Sequence, residues 1–139
     1  MFKKPKKKSV KYWRNKCDKL LQEIVLLVYK ECEICGGELS CGHHFVPKSI
    51  SSFLRYYWKN IVPICVACHI GIELRKSHLI TARIVLKRGE EWLKDLEQKS
   101  RLYVKTDRVY YEKTYKELED LKRKFELLKP YKVCQKSNQ

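Results

Sequence analysis

Two pairs of cysteines, Cys32-Glu-Ile-Cys35 and Cys65-Val-Ala-Cys68, stand 29 residues apart in a chain of 139. A Cys-x-x-Cys spacing lets one tight turn offer two thiolates to a single ion, and two such turns complete a tetrahedral set for a structural zinc. Gly36 and Gly37 follow the first pair, where the chain must turn sharply. A redox dithiol or unrelated buried thiols are the competing readings, and the presence of two pairs favours the metal. Between and beside the pairs lie Gly42-His43-His44-Phe45-Val46-Pro47, then Asn60-Ile-Val-Pro-Ile-Cys65, and His69 directly after Cys68. A single histidine is usually a surface or core residue, but three interleaved with zinc ligands are expected to share a site. A second, purely structural zinc through His43, His44 and His69 is the alternative. Cys17, Cys41 and Cys134 read as small buried residues, although Cys41 is near enough to the histidines to be a substitute ligand.

The spacing of His43, His44, Pro47, Asn60, Cys65, Cys68 and His69 resembles the HNH endonuclease family, over roughly residues 32 to 75. Where that family often carries a Lys soon after the final His, this chain has Gly71 and Ile72, with Arg75 and Lys76 further on. A narrower likeness, to the phage NinG (Rap) recombination nucleases, rests on Leu54-Arg55-Tyr56, on Arg88-Gly89-Glu90-Glu91-Trp92-Leu93 followed by Leu96-Glu97, and on Tyr115-Lys116-Glu117-Leu118. The chain departs from that group in keeping His69, where Asn is expected in many relatives, and in lacking an extended N-terminal cysteine region. The resemblance implies an α+β fold, a zinc-stabilised ββα-metal core embedded among α-helices. It also implies hydrolysis of DNA phosphodiesters, on branched recombination intermediates such as a Holliday junction or D-loop, with His43 and His69 holding a catalytic Mg²⁺ or Mn²⁺.

Within that expectation the residues divide the work. A neutral imidazole can take a proton from water near physiological pH, so His44 is the expected general base. Asn60 is too weak a base for that role, and its amide is expected to fix the backbone or the orientation of His44. His43 and His44 are neighbours, so on a regular strand they point opposite ways, and a strand end or bulge is needed for both to face one phosphate. Lys48, Arg55, Lys59, Arg75 and Lys76 are the expected phosphate contacts, with a solvated surface role as the alternative for each. Tyr56, Tyr57 and Trp58 are expected to pack rather than stack on bases. The competing class is a zinc-stabilised nucleic-acid-binding module without catalysis; restriction, homing or nicking enzymes are alternatives within the nuclease class.

Composition supports a nucleic-acid partner. The chain is 44% hydrophobic and 34% charged, too apolar for disorder and too charged for a membrane protein. With 31 Lys and Arg against 16 Asp and Glu, its formal charge is +15, a field that attracts polyanions. No run reaches the roughly 20 apolar residues of a membrane span, and no secretory signal follows the first lysines. A reducing cytoplasm, the host cell's if the gene is a phage's, is the expected compartment. The Lys-rich start reads either as a phosphate-binding tail or as a nuclear import signal.

The elements that must position these residues follow from periodicity. Residues 1–16 read as a basic arm, with eight Lys and Arg and no acid between residues 3 and 16. Residues 17–31 read as a helix with Leu20, Leu21, Ile24, Val25, Leu27 and Val28 on its apolar face, and with Asp18 placed to cap it or to favour its positive N-terminal end. Residues 32–76, rich in Cys, His, Gly and Pro, form the expected nuclease core. Residues 77–139 read as helical, with stripes on either side of Gly89 that give two helices or one kinked helix. A final amphipathic helix repeats Tyr111, Leu118, Phe125 and Thr114, Leu121, Leu128 before Pro130 stops the pattern. That last stripe either packs back on the domain or forms a coiled-coil interface, as in a homodimer.

Overall fold

A computed structural model describes residues 3–134, apart from the side chains of residues 75–77 and 129–134. The chain forms two compact units. One is built from both ends, up to Ile24 and from Lys105, and the other from Val25–Val104.

The end-built unit is helical. Helix α1 spans Val10–Val28, and its buried residues Cys17, Leu20, Leu21, Ile24 and Val25 recur at the three- and four-residue steps of one helical face. The helix expected over residues 17–31 therefore begins earlier and ends at Val28. Ser9 accounts for the start: its Oγ accepts a hydrogen bond from the Tyr12 N–H at 3.1 Å, satisfying one of the donors a helix leaves open. Asp18, in mid-helix, has no capping role. The basic arm correspondingly shortens to residues 3–9, which are exposed and outside any helix or strand. The last helix of the chain, α5, spans Arg108–Cys134 and is capped by Asp107, whose Oδ1 accepts from the Tyr110 N–H at 2.9 Å. Its residues Tyr111, Thr114 and Leu118 are buried within the unit. The Cys17 thiol donates to the Tyr111 carbonyl at 3.3 Å, Trp13 meets Tyr115 edge-on at 5.6 Å, and Lys122 pairs with Glu23 at 3.0 Å. The helix does not stop at Pro130 but continues to Cys134; a proline removes one backbone bond, a small loss near the end of a helix of 27 residues.

The second unit holds the only sheet among the described residues. Strand β1, Cys41–His44, pairs antiparallel with β2, Ile61–Ile64, with Cys41 opposite Ile64, Gly42 opposite Pro63, His43 opposite Val62 and His44 opposite Ile61. All four residues of β2 are buried, and with Leu54, Ile84 and Leu96 they form the core. Gly42 is required by proximity. A Cβ there would lie 2.7 Å from Ile61 Cγ2 and 2.8 Å from Val25 Cγ2, so β1 can lie against the last turn of α1 only without a side chain. The segment between the strands contains two 3₁₀ turns, Leu54–Tyr56 and Trp58–Asn60.

After β2 the chain is helical: α2 spans Val66–Gly71, a π-helical turn follows over Ile72–Lys76, and α3 covers Ser77–Arg88. Gly89, at φ +93°, separates α3 from α4, Glu90–Ser100, so the two stripes belong to two helices. Helix α4 packs on both 3₁₀ turns, where Trp92 Nε1 donates to the Lys59 carbonyl at 2.7 Å and the Tyr57 hydroxyl to Asp95 at 2.8 Å. These contacts explain why the unit does not end at residue 76. Helices α3 and α4 belong with the strands, and α5 alone joins the N-terminal residues. The architecture is α+β, mixed helix with a small two-stranded sheet. Among the described residues, no helix is long and apolar enough to cross a membrane.

Candidate metal centre and histidine cluster

The first cysteine pair sits on a turn whose backbone bonds bend it into a knuckle. Cys32 donates its N–H to the Gly37 carbonyl and accepts at its own carbonyl from Gly36, both at 2.9 Å, while Gly36 takes φ +72°. The Gly37 N–H points at Cys35 Sγ, 3.4 Å away. The knuckle is fixed to the sheet by the Glu33 N–H, which donates to the Pro63 carbonyl at 2.9 Å. The second pair uses a helix start instead: Cys65 caps α2, and its sulfur accepts from the Cys68 N–H at 3.4 Å.

These turns bring the sulfurs of Cys32, Cys35, Cys65 and Cys68 within 4.8 Å of one another, the one such ligand group among the described residues. Zinc–sulfur bonds of about 2.3 Å in a tetrahedron place sulfurs roughly 3.8 Å apart, so the set fits a metal ion such as zinc with little adjustment. The electrostatics point the same way. Burial opposes ionisation of Cys32, yet the N–H groups of Cys35, Cys65 and Ile34 outweigh it and bring that thiol down to about 7. Burial and the three neighbouring sulfurs push Cys68 strongly up. A bound cation would let these thiolates coexist.

The histidines are positioned by β1 and α2. His43 lies against His69, ring centroids 5.6 Å apart, and burial, with the nearby His69 and His44 rings, lowers it to about 4. His69, on α2, also lies 3.8 Å from Glu73 and has Nδ1 3.9 Å from Cys41 Sγ. His44 is turned towards the first 3₁₀ turn, where its Nε2 hydrogen-bonds the Arg55 carbonyl at 2.8 Å. A carbonyl can only accept, so this bond places the proton on Nε2 and the lone pair on Nδ1. Asn60 is fully buried and holds the loop that leaves β1: its Oδ1 accepts from the Val46 N–H at 2.8 Å, and its Nδ2 donates to the carbonyls of Val46 at 3.0 Å and Leu54 at 3.1 Å. Its link to His44 therefore runs through backbone, with Leu54 one residue before the carbonyl that orients the ring.

The cations are more scattered. Lys48 and Lys59 are exposed, and the Arg55 guanidinium lies 5.9 Å from the Tyr56 ring centre. Arg75 and Lys76 fall in the π-helical turn, and their side chains lie outside the described residues, as does that of Cys134. Tyr57 and Trp58 pack, Trp58 stacking on Tyr29 at 5.8 Å. Sequence reasoning missed Glu73, which its position four residues after His69 on a helix could have flagged. It also missed Arg88, whose Nε donates to Glu33 Oε2 at 2.9 Å, a pairing for which no local signal exists. Comparison with protein-family models, curated proteins and solved structures finds no match.

Proposed function

We propose that this protein is a metal-dependent DNA endonuclease of the HNH type, stabilised by zinc on Cys32, Cys35, Cys65 and Cys68, and acting on branched DNA. The orientation of His44 carries the reading. A histidine fixed by a carbonyl on Nε2, on a strand beside a buried Asn60 and close to a His43–His69 pair, has the preparation a general base requires.

In this reading His44 Nδ1 takes a proton from a water molecule as the water oxygen bonds to phosphorus. The ester bond to the leaving oxygen breaks, and that oxygen takes a proton from solvent. His43 and His69 would hold the divalent cation, with Glu73 as an additional carboxylate donor beside His69. Such a cation, when bound, neutralises charge developing on the phosphate and the leaving oxygen. Asn60 keeps the 46–54 loop closed, so that the carbonyl orienting His44 stays in place. Lys48, Arg55, Lys59, Arg75 and Lys76 would meet the phosphate backbone, which carries no base sequence.

The test is cleavage of a labelled four-way junction, a D-loop and a matching linear duplex with Mg²⁺ or Mn²⁺. The wild-type chain is expected to cut, and His44→Ala to lower the rate on the order of 10²- to 10⁴-fold with DNA affinity near wild type. Cleavage by His44→Ala at the wild-type rate overturns the assignment. Binding without cleavage in either metal would identify a zinc-stabilised binding module instead.

A further inference from the structure

One guanidinium spans two parts of the second unit. Arg88, the last residue of α3, grips Glu33 in a fork, Nε to Oε2 and Nη2 to Oε1, both at 2.9 Å. Glu33 stands between Cys32 and Cys35, inside the knuckle. The same guanidinium donates through Nη1 to the Lys59 carbonyl and through Nη2 to the Ile61 carbonyl, both at 3.0 Å. Those carbonyls flank Asn60. Both partners of the ion pair are largely shielded, with side chains 15% and 16% exposed, so solvent screens it less than a surface pair. Trp92 adds a second donor to the Lys59 carbonyl and lies under the guanidinium at 5.2 Å.

We propose that Arg88 is a positioning residue of the nuclease centre, coupling the cysteine knuckle to the turn that carries Asn60. The inference rests on the HNH reading for its catalytic consequence, though not for the coupling itself. Four donations from one planar group tie the Lys59–Asn60 and Ile61–Val62 peptide units, on either side of Asn60, to Glu33 in the knuckle. Asn60 in turn holds Val46 and Leu54, and the carbonyl of Arg55, next to Leu54, fixes His44. A lysine cannot replace this arrangement: its ammonium is a compact point donor without the fork that meets a carboxylate and two divergent carbonyls together. A knuckle that has lost its metal would release Glu33 and slacken the turn. A turn that has lost Arg88 would leave Glu33 without its fork partner and loosen the knuckle.

The experiment uses the full chain as Arg88→Lys and Glu33→Gln, with three readouts: junction cleavage kinetics, hydrogen exchange of the Val46 amide, and the rate of zinc transfer to a chromogenic chelator. Arg88→Lys should lower kcat by about 10- to 100-fold, the range for residues that orient a metal or catalytic group, with KM changed less than about twofold. It should also speed exchange at Val46 while the α5 amides stay at wild-type rates. Glu33→Gln should speed zinc transfer about tenfold. Wild-type Val46 exchange in zinc-loaded Arg88→Lys, or wild-type zinc transfer from Glu33→Gln, overturns the coupling. If Arg88→Lys does not fold, the Glu33→Gln transfer rate decides. An inert wild type would sink the nuclease reading and leave the exchange and zinc measurements to judge the coupling separately.

Discussion

His43 shows how burial turns an ordinary side chain into an acid-sensitive one. Its removal from water, with the fields of His69 and His44, lowers it from 6.5 to about 4, so the folded state disfavours the charged ring. Between those values the unfolded chain binds more protons than the folded one. The stability contributed by the neutral ring is complete above pH 6.5 and is lost as pH falls towards 4. In divalent-free buffer, thermal unfolding should therefore shift to lower temperature across that window, and His43→Gln should flatten the shift; an unchanged slope in the variant would count against the burial account. The cysteines pose the opposite problem, since burial and the neighbouring sulfurs hold Cys68 against ionisation unless a cation balances the charge. Cys35→Ser should lose bound zinc in elemental analysis and unfold under milder denaturant. A fully folded, metal-free wild type would contradict the structural role of the site.

At the scale of elements, the hairpin depends on a missing atom. Gly42→Ala introduces a Cβ into side chains of β2 and α1 less than 3 Å away, an overpacking that costs about 1–3 kcal/mol. Urea unfolding should show that loss, and an unchanged midpoint would mean that Val25 and Ile61 move aside freely. Much at this scale could be read from sequence. The knuckle followed from Cys-x-x-Cys with two glycines, the α1 face from its apolar steps, and the break between α3 and α4 from Gly89. The start of α1 was masked: eight cations without an acid resemble a solvated arm, and the Ser9 cap together with the packing of Trp13 on Tyr115 places it at Val10. The Arg88–Glu33 pair was equally hidden, because residues 55 apart leave no local pattern. His44 and Asn60 were visible as spacing, but the carbonyl of Arg55 as the ring's partner required the fold.

At the scale of the whole molecule, on the nuclease reading, a chain of formal charge +15 should bind any DNA at low salt by releasing counterions, so affinity alone would say little about substrate. Diverging duplex arms offer phosphates in more directions than a linear duplex. Raising salt should therefore suppress linear-duplex binding before junction binding. Deleting residues 1–8, which leaves the Ser9 cap in place, removes five lysines and should reduce the slope of log affinity against log salt by up to about 4.5, without abolishing cleavage. Equal cleavage of linear and branched DNA across the salt series would remove the branched-substrate reading and leave the hydrolytic one. The unit made from both chain ends also sets an order of events at the ribosome. Cys17 and Glu23 meet partners 94 and 99 residues later, so no part of that pairing can form until α5 has emerged. Residues 25–104 form a contiguous unit whose internal contacts are all made within that span. During synthesis, the contacts within the segment bearing the cysteines and histidines become available while the first helix still lacks its partner.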